Sequence, residues 1–66
     1  MDEYAQTYIN VYCTDTDKTS EAKLIKQNES QLRLELNGIP MTFHKHRPSV
    51  FVSRMHGLEF VVRTDH

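Results

Sequence analysis

The stretch "QLRLELNGIPMTFHK", residues 31–45, decides the fold that this sequence predicts. Its apolar residues recur at every second position, the period at which strand side chains return to one face of a sheet. Asn37-Gly38, at its centre, is well suited to a two-residue hairpin turn, in which both central residues need positive φ. The stretch therefore predicts a β-hairpin.

The register of this hairpin follows from the requirement that its large apolar side chains share one face. A shift of one residue would scatter them over both faces, so the pairing is strongly specified. The predicted inward pairs are Leu36 with Ile39, Leu34 with Met41 and Leu32 with Phe43. The predicted outward pairs are Arg33 with Thr42, Gln31 with His44 and Glu35 with Pro40.

Three further segments show strand character. Residues 7–13 alternate, with Tyr8 and Tyr12 on the outward face, and residues 58–63 alternate in the same way. Residues 49–53, "SVFVS", form an apolar run that is too short to show which face points inward.

The segment at residues 19–27 admits two interpretations. It is rich in helix formers, and Thr19 or Ser20 could cap a helix. Its apolar stripe is short, however, and an isolated helix of one or two turns is poorly stable. We favour a strand in which Ala22 and Leu24 face inward.

These elements predict one all-β domain over residues 1–66. The expected architecture is a five-stranded antiparallel barrel or rolled sheet, SH3-like in size, because closure removes exposed sheet edges. The alternative is an α+β fold with a short helix at about residues 19–27.

Composition narrows the functional classes. The 66 residues carry eight basic and nine acidic side chains, so the formal net charge is −1 and no chain-wide attraction to nucleic acid or membrane is indicated. The single cysteine, Cys13, cannot form an internal disulfide, which is typical of a reducing compartment. No apolar run approaches the roughly 20 residues that span a bilayer, and no signal pattern is present. We expect a cytoplasmic protein that makes no membrane contact.

Catalytic patterns are missing from the sequence. Two glycines cannot build a phosphate-cradling loop, and no Ser-His-Asp order or His-Glu-x-x-His pattern occurs. Cys13 shares its strand face with Ile9 and Val11, and a cysteine buried in this way is usually inert. A barrel of this length also fills its interior with its own side chains. We expect no enzymatic activity and no cofactor.

His44 and His46 raise the question of a metal site. Residues two apart on a strand point to the same face, about 6–7 Å apart at their Cα atoms, which suits two ligands of one metal. A zinc site needs at least three protein ligands, and Glu29 is the nearest further candidate in this register. We expect no tightly bound metal, and a metal-binding protein that uses His44 and His46 remains an alternative.

Residues 42–57 contain no acid but include Arg47, Arg54 and three histidines. Such a segment predicts a basic surface that attracts phosphate or an acidic protein. Tyr8 and Tyr12 are candidates for base stacking, so a small barrel that binds nucleic acid is an alternative. Imidazoles ordinarily gain a proton at about pH 6.5, which makes pH-dependent binding a further hypothesis.

By elimination, the sequence predicts a non-catalytic interaction module that binds another macromolecule, with a protein as the favoured partner. Val61 and Phe51 are the expected exposed or half-exposed apolar contacts, flanked by arginines that include Arg63. A second copy of the chain is an alternative partner, because association adds burial that a domain of this size lacks. The predicted binding surface consists of Tyr8, Tyr12, His44, His46, Arg47 and Arg54.

Overall fold

The structure, a computed structural model, describes residues 7–64. These residues form a closed, six-stranded antiparallel barrel. Each strand pairs with the next along the chain, and the last pairs with the first. The prediction of a small all-β antiparallel barrel is confirmed, with six strands rather than five. The strands are β1 (Tyr8–Cys13), β2 (Lys18–Gln27), β3 (Gln31–Leu36), β4 (Ile39–Arg47), β5 (Val50–Met55) and β6 (Leu58–Arg63).

Strand β2 occupies the segment for which a short helix was the alternative. Ala22 pairs with Ile9 of β1 and is buried, and Leu24 packs against the core, as the strand interpretation predicts. Ile25 lies at a bulge between β2 and β3 and is 49% exposed. The apparent helical stripe is therefore broken, and pairing on both sides of β2 overrides the helix propensity of its residues.

The hairpin of β3 and β4 has the predicted register at all six residue pairs. Its turn residues Asn37 and Gly38 have φ of 53° and 81°, as a two-residue turn of this kind requires. Ile39, next to the turn at the end of the barrel, is 48% exposed, whereas the inward residues farther along the hairpin are buried.

The hairpin of β5 and β6 repeats this construction. Its turn residues His56 and Gly57 have φ of 54° and 76°. Phe51 pairs with Val62, and both are buried in the core. The expectation that Phe51 is exposed is wrong, because the register of β5 turns it inward and leaves the valines on either side of it outward.

The core fills the barrel along its length. The largest fully buried side chains come from β1, β3, β4 and β6, and the buried Ala22 and Phe51 add β2 and β5, so every strand contributes to the core. Interiors of this kind are packed about as densely as organic crystals. The buried apolar cluster consists of Val11, Ala22, Leu32, Leu34, Met41, Phe43, Phe51 and Val62.

The junction between β1 and β6 closes the barrel with few ladder pairs. Tyr12 pairs with Val61 and Cys13 with Phe60. Beyond these pairs, the turn at residues 14–17 holds Glu59: the Thr14 amide donates to the Glu59 carbonyl at 3.0 Å. The Thr14 hydroxyl donates to the Glu59 carboxylate at 2.9 Å, and the Glu59 amide donates to the Asp15 carboxylate at 2.8 Å. This polar turn thus fastens the first strand to the last.

Among the described residues, no helix has the length and apolar character needed to cross a membrane.

Candidate functional site

Three valines face outward on the hairpin of β5 and β6. Counted from the turn, Val52 and Val61 occupy the positions that Arg33 and Thr42 hold in the hairpin of β3 and β4. The outer face of the first hairpin is therefore polar where that of the second is apolar. Val50, Val52 and Val61 are each half-buried, and we call them the valine wall.

Strand pairing extends the valine wall into a row of side chains across four strands. Val52 pairs with His44 of β4 on one side and with Val61 of β6 on the other, and Val61 pairs with Tyr12 of β1. Neighbouring strands lie about 4.8 Å apart, so these four side chains are contiguous on the outer face.

Basic side chains surround the valine wall. Arg47 and Arg63 are the two cross-strand partners of Val50. At the other end of the wall, Arg54 lies opposite Glu59, and their charged groups are 3.5 Å apart. We call the surrounding set the basic rim, which consists of Arg47, Arg54, Arg63, His44 and His46.

Three shallow depressions meet at the valine wall. One of about 350 Å³ lies beside His44 and Arg54, and one of about 320 Å³ lies between His46 and Arg63. The third, of about 310 Å³, adjoins Tyr12. Val52 or Val61 lines each of them, so the surface offers shallow relief to a partner rather than a deep pocket.

Five of the six residues in the predicted binding surface border the valine wall. They are Tyr12, His44, His46, Arg47 and Arg54. Tyr8, which is 55% exposed, lies farther along β1, where it lines a groove of about 530 Å³ beyond the β1 and β6 pairs.

The sequence interpretation identified the cations but missed two of the valines. Val50 and Val52 belong to the short apolar run around Phe51, and such a run does not reveal which residues point outward. The usable signal was the register of β5 against β6: the turn at His56-Gly57 pairs Met55 with Leu58 and fixes the outward set.

His44 and His46 do not form the regular ligand pair that simple alternation predicts. The register of β4 against β5 shifts between Lys45 and Arg47, so His46 lies in a bulge and has no partner on β5. Both histidines are exposed and line different depressions. Within residues 7–64, no group of three or more side chains suited to a metal comes together, so this pair lacks a third ligand there.

Tyr12 is held at the edge of the valine wall by its hydroxyl. The phenol donates a hydrogen bond to the carboxylate of Asp17, in the turn that follows β1. This hydrogen bond raises the pKa of Tyr12, with smaller contributions from desolvation and from the charge of Asp17. The ring, which is 37% exposed, thereby has a defined orientation beside Val61.

Cys13 lies on the inner face of β1 and is buried, as predicted. A hydrogen bond from the Thr16 hydroxyl lowers the pKa of the Cys13 thiol, against the opposing effect of desolvation. Backbone hydrogen bonds from Thr16 and Asp15 act in the same direction as the hydroxyl. Both residues belong to the turn at residues 14–17, which follows β1.

In comparisons with known proteins, no family model, no curated protein and no solved structure matches this chain. The chemistry of the surface must therefore be argued from its geometry. The valine wall supplies apolar contact area, and the basic rim supplies hydrogen-bond donors with positive charge. The carboxylate of Glu59, beside Arg54 at one end of the wall, already accepts from the Thr14 hydroxyl. Such a surface is suited to binding.

Proposed function

We propose that this domain is a non-catalytic binding module that contacts another protein through the valine wall and the basic rim. One observation carries the proposal. The two hairpins are built alike on their inner faces, yet the second carries valines at outward positions where the first carries Gln31, Arg33 and Thr42.

Folding alone does not require these outward valines. The inner faces of the strands already supply the buried cluster, and the first hairpin forms the same register with polar outward residues. Valine has a high strand propensity, but arginine and threonine serve equally in the matched positions. A contiguous apolar patch with a polar rim is typical of an interaction site.

The side chains around the valine wall are of the types that dominate binding energy. Arginine and tyrosine are enriched among interface residues whose truncation is most costly, and Arg47, Arg54 and Tyr12 border the wall. The absence of a deep pocket on this wall supports a macromolecular partner over a small substrate. The non-catalytic assignment is supported by the filled barrel interior.

A protein partner is favoured over nucleic acid by the composition of the wall. Proteins that bind single strands without sequence preference stack bases on aromatic side chains within a basic groove. Valines offer no aromatic face, and among residues 7–64 Tyr12 is the aromatic residue that lines the depressions at this wall.

The proposal is tested with a variant that gives the second hairpin the outer face of the first. In Val52→Arg/Val61→Thr, the pair copies Arg33 and Thr42, which already occur together in this fold. The control is Arg33→Gln, which changes the position of the other hairpin that matches Val52 and does not line any of the three depressions at the wall.

Partners cross-linked to the wild-type protein in lysate of the native host are identified by mass spectrometry. Each partner is then purified and its affinity measured by calorimetry. We expect the wall variant to lose at least about tenfold in affinity, since loss of central interface contacts costs more than 1.4 kcal/mol, and the control to bind like wild type. Circular dichroism checks that both variants fold. Unchanged binding by the folded wall variant would refute the proposal.

A further inference from the structure

We infer that the partner presents an acidic segment, in which an apolar side chain rests on Val52 and Val61 while a carboxylate contacts Arg47. The inference rests on the proposed function and adds the chemistry of the partner. Its basis is the charge distribution around the valine wall.

Basic side chains outnumber acidic ones in the depressions at the valine wall. Among residues 7–64, these depressions are lined by three arginines and by one carboxylate, that of Glu59. That carboxylate accepts from the Thr14 hydroxyl at 2.9 Å and lies 3.5 Å from Arg54. Glu59 is therefore engaged in closing the barrel and in pairing with Arg54, at the end of the wall away from Arg47.

The two ends of the wall differ in what they offer to an anion. At one end, Arg54 is paired with Glu59. At the other end, Arg47 is exposed, and the structure places no acidic group of residues 7–64 in an ion pair with it. Arg47 lies directly across from Val50, so a carboxylate bound to Arg47 would adjoin the valine wall. Guanidinium groups bind carboxylates by two parallel hydrogen bonds, which would fix the orientation of the segment.

The same distribution argues against a second copy of the chain at this surface. Two valine walls that face each other would bring the arginines of both copies into one interface, and like charges across an interface oppose association. An acidic segment satisfies the same cations. Charge complementarity of this kind also speeds encounter at low ionic strength.

The test uses the full chain labelled with ¹⁵N and follows its amide resonances during titration. The probe is a synthetic dodecapeptide in which valine and glutamate alternate. Its counterpart carries glutamine in place of glutamate and retains the valines. We expect the glutamate peptide to shift the amides of Val50, Val52 and Val61 and to bind at least about tenfold more tightly than the glutamine peptide. Added salt should weaken it.

Two single variants locate the anion contact. Arg47→Gln should weaken binding of the glutamate peptide by about tenfold, because glutamine cannot make the paired, charge-assisted hydrogen bonds by which a guanidinium group binds a carboxylate. Lys26→Gln removes an exposed cation from β2, on the other side of the barrel, and should leave the affinity unchanged. Both positions are exposed, so neither change is expected to unfold the domain.

Failure of the inference can be told apart from failure of the proposed function. Equal binding of the two peptides, or no shift of the wall amides with either, overturns the inference that the partner is acidic. The proposed function is tested separately, by the cross-linking experiment. A dimer in sedimentation that Val52→Arg/Val61→Thr disperses also overturns it, because a second copy then occupies the wall. Stronger shifts of the wall amides with a thymidine oligonucleotide than with the peptide would overturn both in favour of nucleic acid.

Discussion

The hairpin of β3 and β4 and the hairpin of β5 and β6 have the same backbone plan and opposite outer faces. Both have a two-residue turn that ends in glycine, and both bury alternate residues in one core. The outer face of the first hairpin is polar. The outer face of the second has valines and arginines. The inner faces therefore show what folding requires, and the difference between the outer faces shows what folding leaves free.

The largest expected effect contrasts the inner positions Leu34 and Ser53, which match when counted from the two turns. Leu34 has no exposed area, and Leu34→Ala should cost about 2–5 kcal/mol through the cavity it leaves. Ser53 is 8% exposed, and Ser53→Ala removes a single oxygen atom and leaves no comparable cavity, so it should change stability by about 1 kcal/mol or less. Urea unfolding followed by circular dichroism measures both. Equal losses would contradict the assigned cause, which is the cavity that a large side chain leaves.

The turns provide a second matched pair. Gly38→Ala and Gly57→Ala should each cost about 1–2 kcal/mol, because both glycines have positive φ, which strains a residue with a Cβ atom. No atom lies within 4 Å of the added Cβ in either case, so the cost should come from the backbone alone. Thermal unfolding of the two variants should give similar losses. A much larger loss at one turn would show that its hairpin contributes more than the other.

Substitutions on the outer face of the second hairpin should change the free energy of unfolding less than they change binding. Val61→Thr copies Thr42 of the first hairpin and should cost about 0.5–1 kcal/mol, since Val61 is only half-buried. Thr42→Val, the reverse exchange, serves as its counterpart. Unfolding in urea gives the free energy for each. A loss of several kcal/mol for Val61→Thr would place the valine wall among the folding determinants and remove its functional interpretation.

The smallest expected effect concerns Tyr12 at the edge of the wall. Because its hydrogen bond to Asp17 raises the pKa of Tyr12, the bond stabilises the fold below the ordinary tyrosine value of about 10. This contribution is lost as the pH rises through the raised value. In Asp17→Asn, the Tyr12 pKa should fall toward its ordinary range, as measured by ultraviolet titration against a Tyr12→Phe reference. An unchanged titration in Asp17→Asn would contradict the assigned cause.

Much of the fold was predictable, because the sequence from Gln31 to Lys45 places six large apolar residues on one face around an Asn-Gly turn. The same reasoning left the helix alternative for β2 open, since a bulge at Ile25 depends on the pairing of β2 with β3. It also misplaced Phe51, because consecutive apolar residues in β5 carry no alternation. Closure by Thr14 and Glu59 joins residues 45 positions apart, which no local pattern reveals.

The cations of the candidate site were predictable, and its valines were not. The segment from Thr42 to Gly57 has no acid, and this property can be read directly from the sequence. Glu59 lies just beyond that segment and meets Arg54 only through strand pairing. The basic character of the surface is therefore less uniform than the linear sequence indicates, and it is strongest near Arg47.

The junction of β1 with β6 determines when the barrel can close during synthesis on the ribosome. Tyr12 is synthesised before its partner Val61. The successive hairpins can form as they emerge, since each joins neighbours in the chain. The barrel cannot close until β6 has left the exit tunnel, so the edge of β1 that does not pair with β2 stays exposed until then.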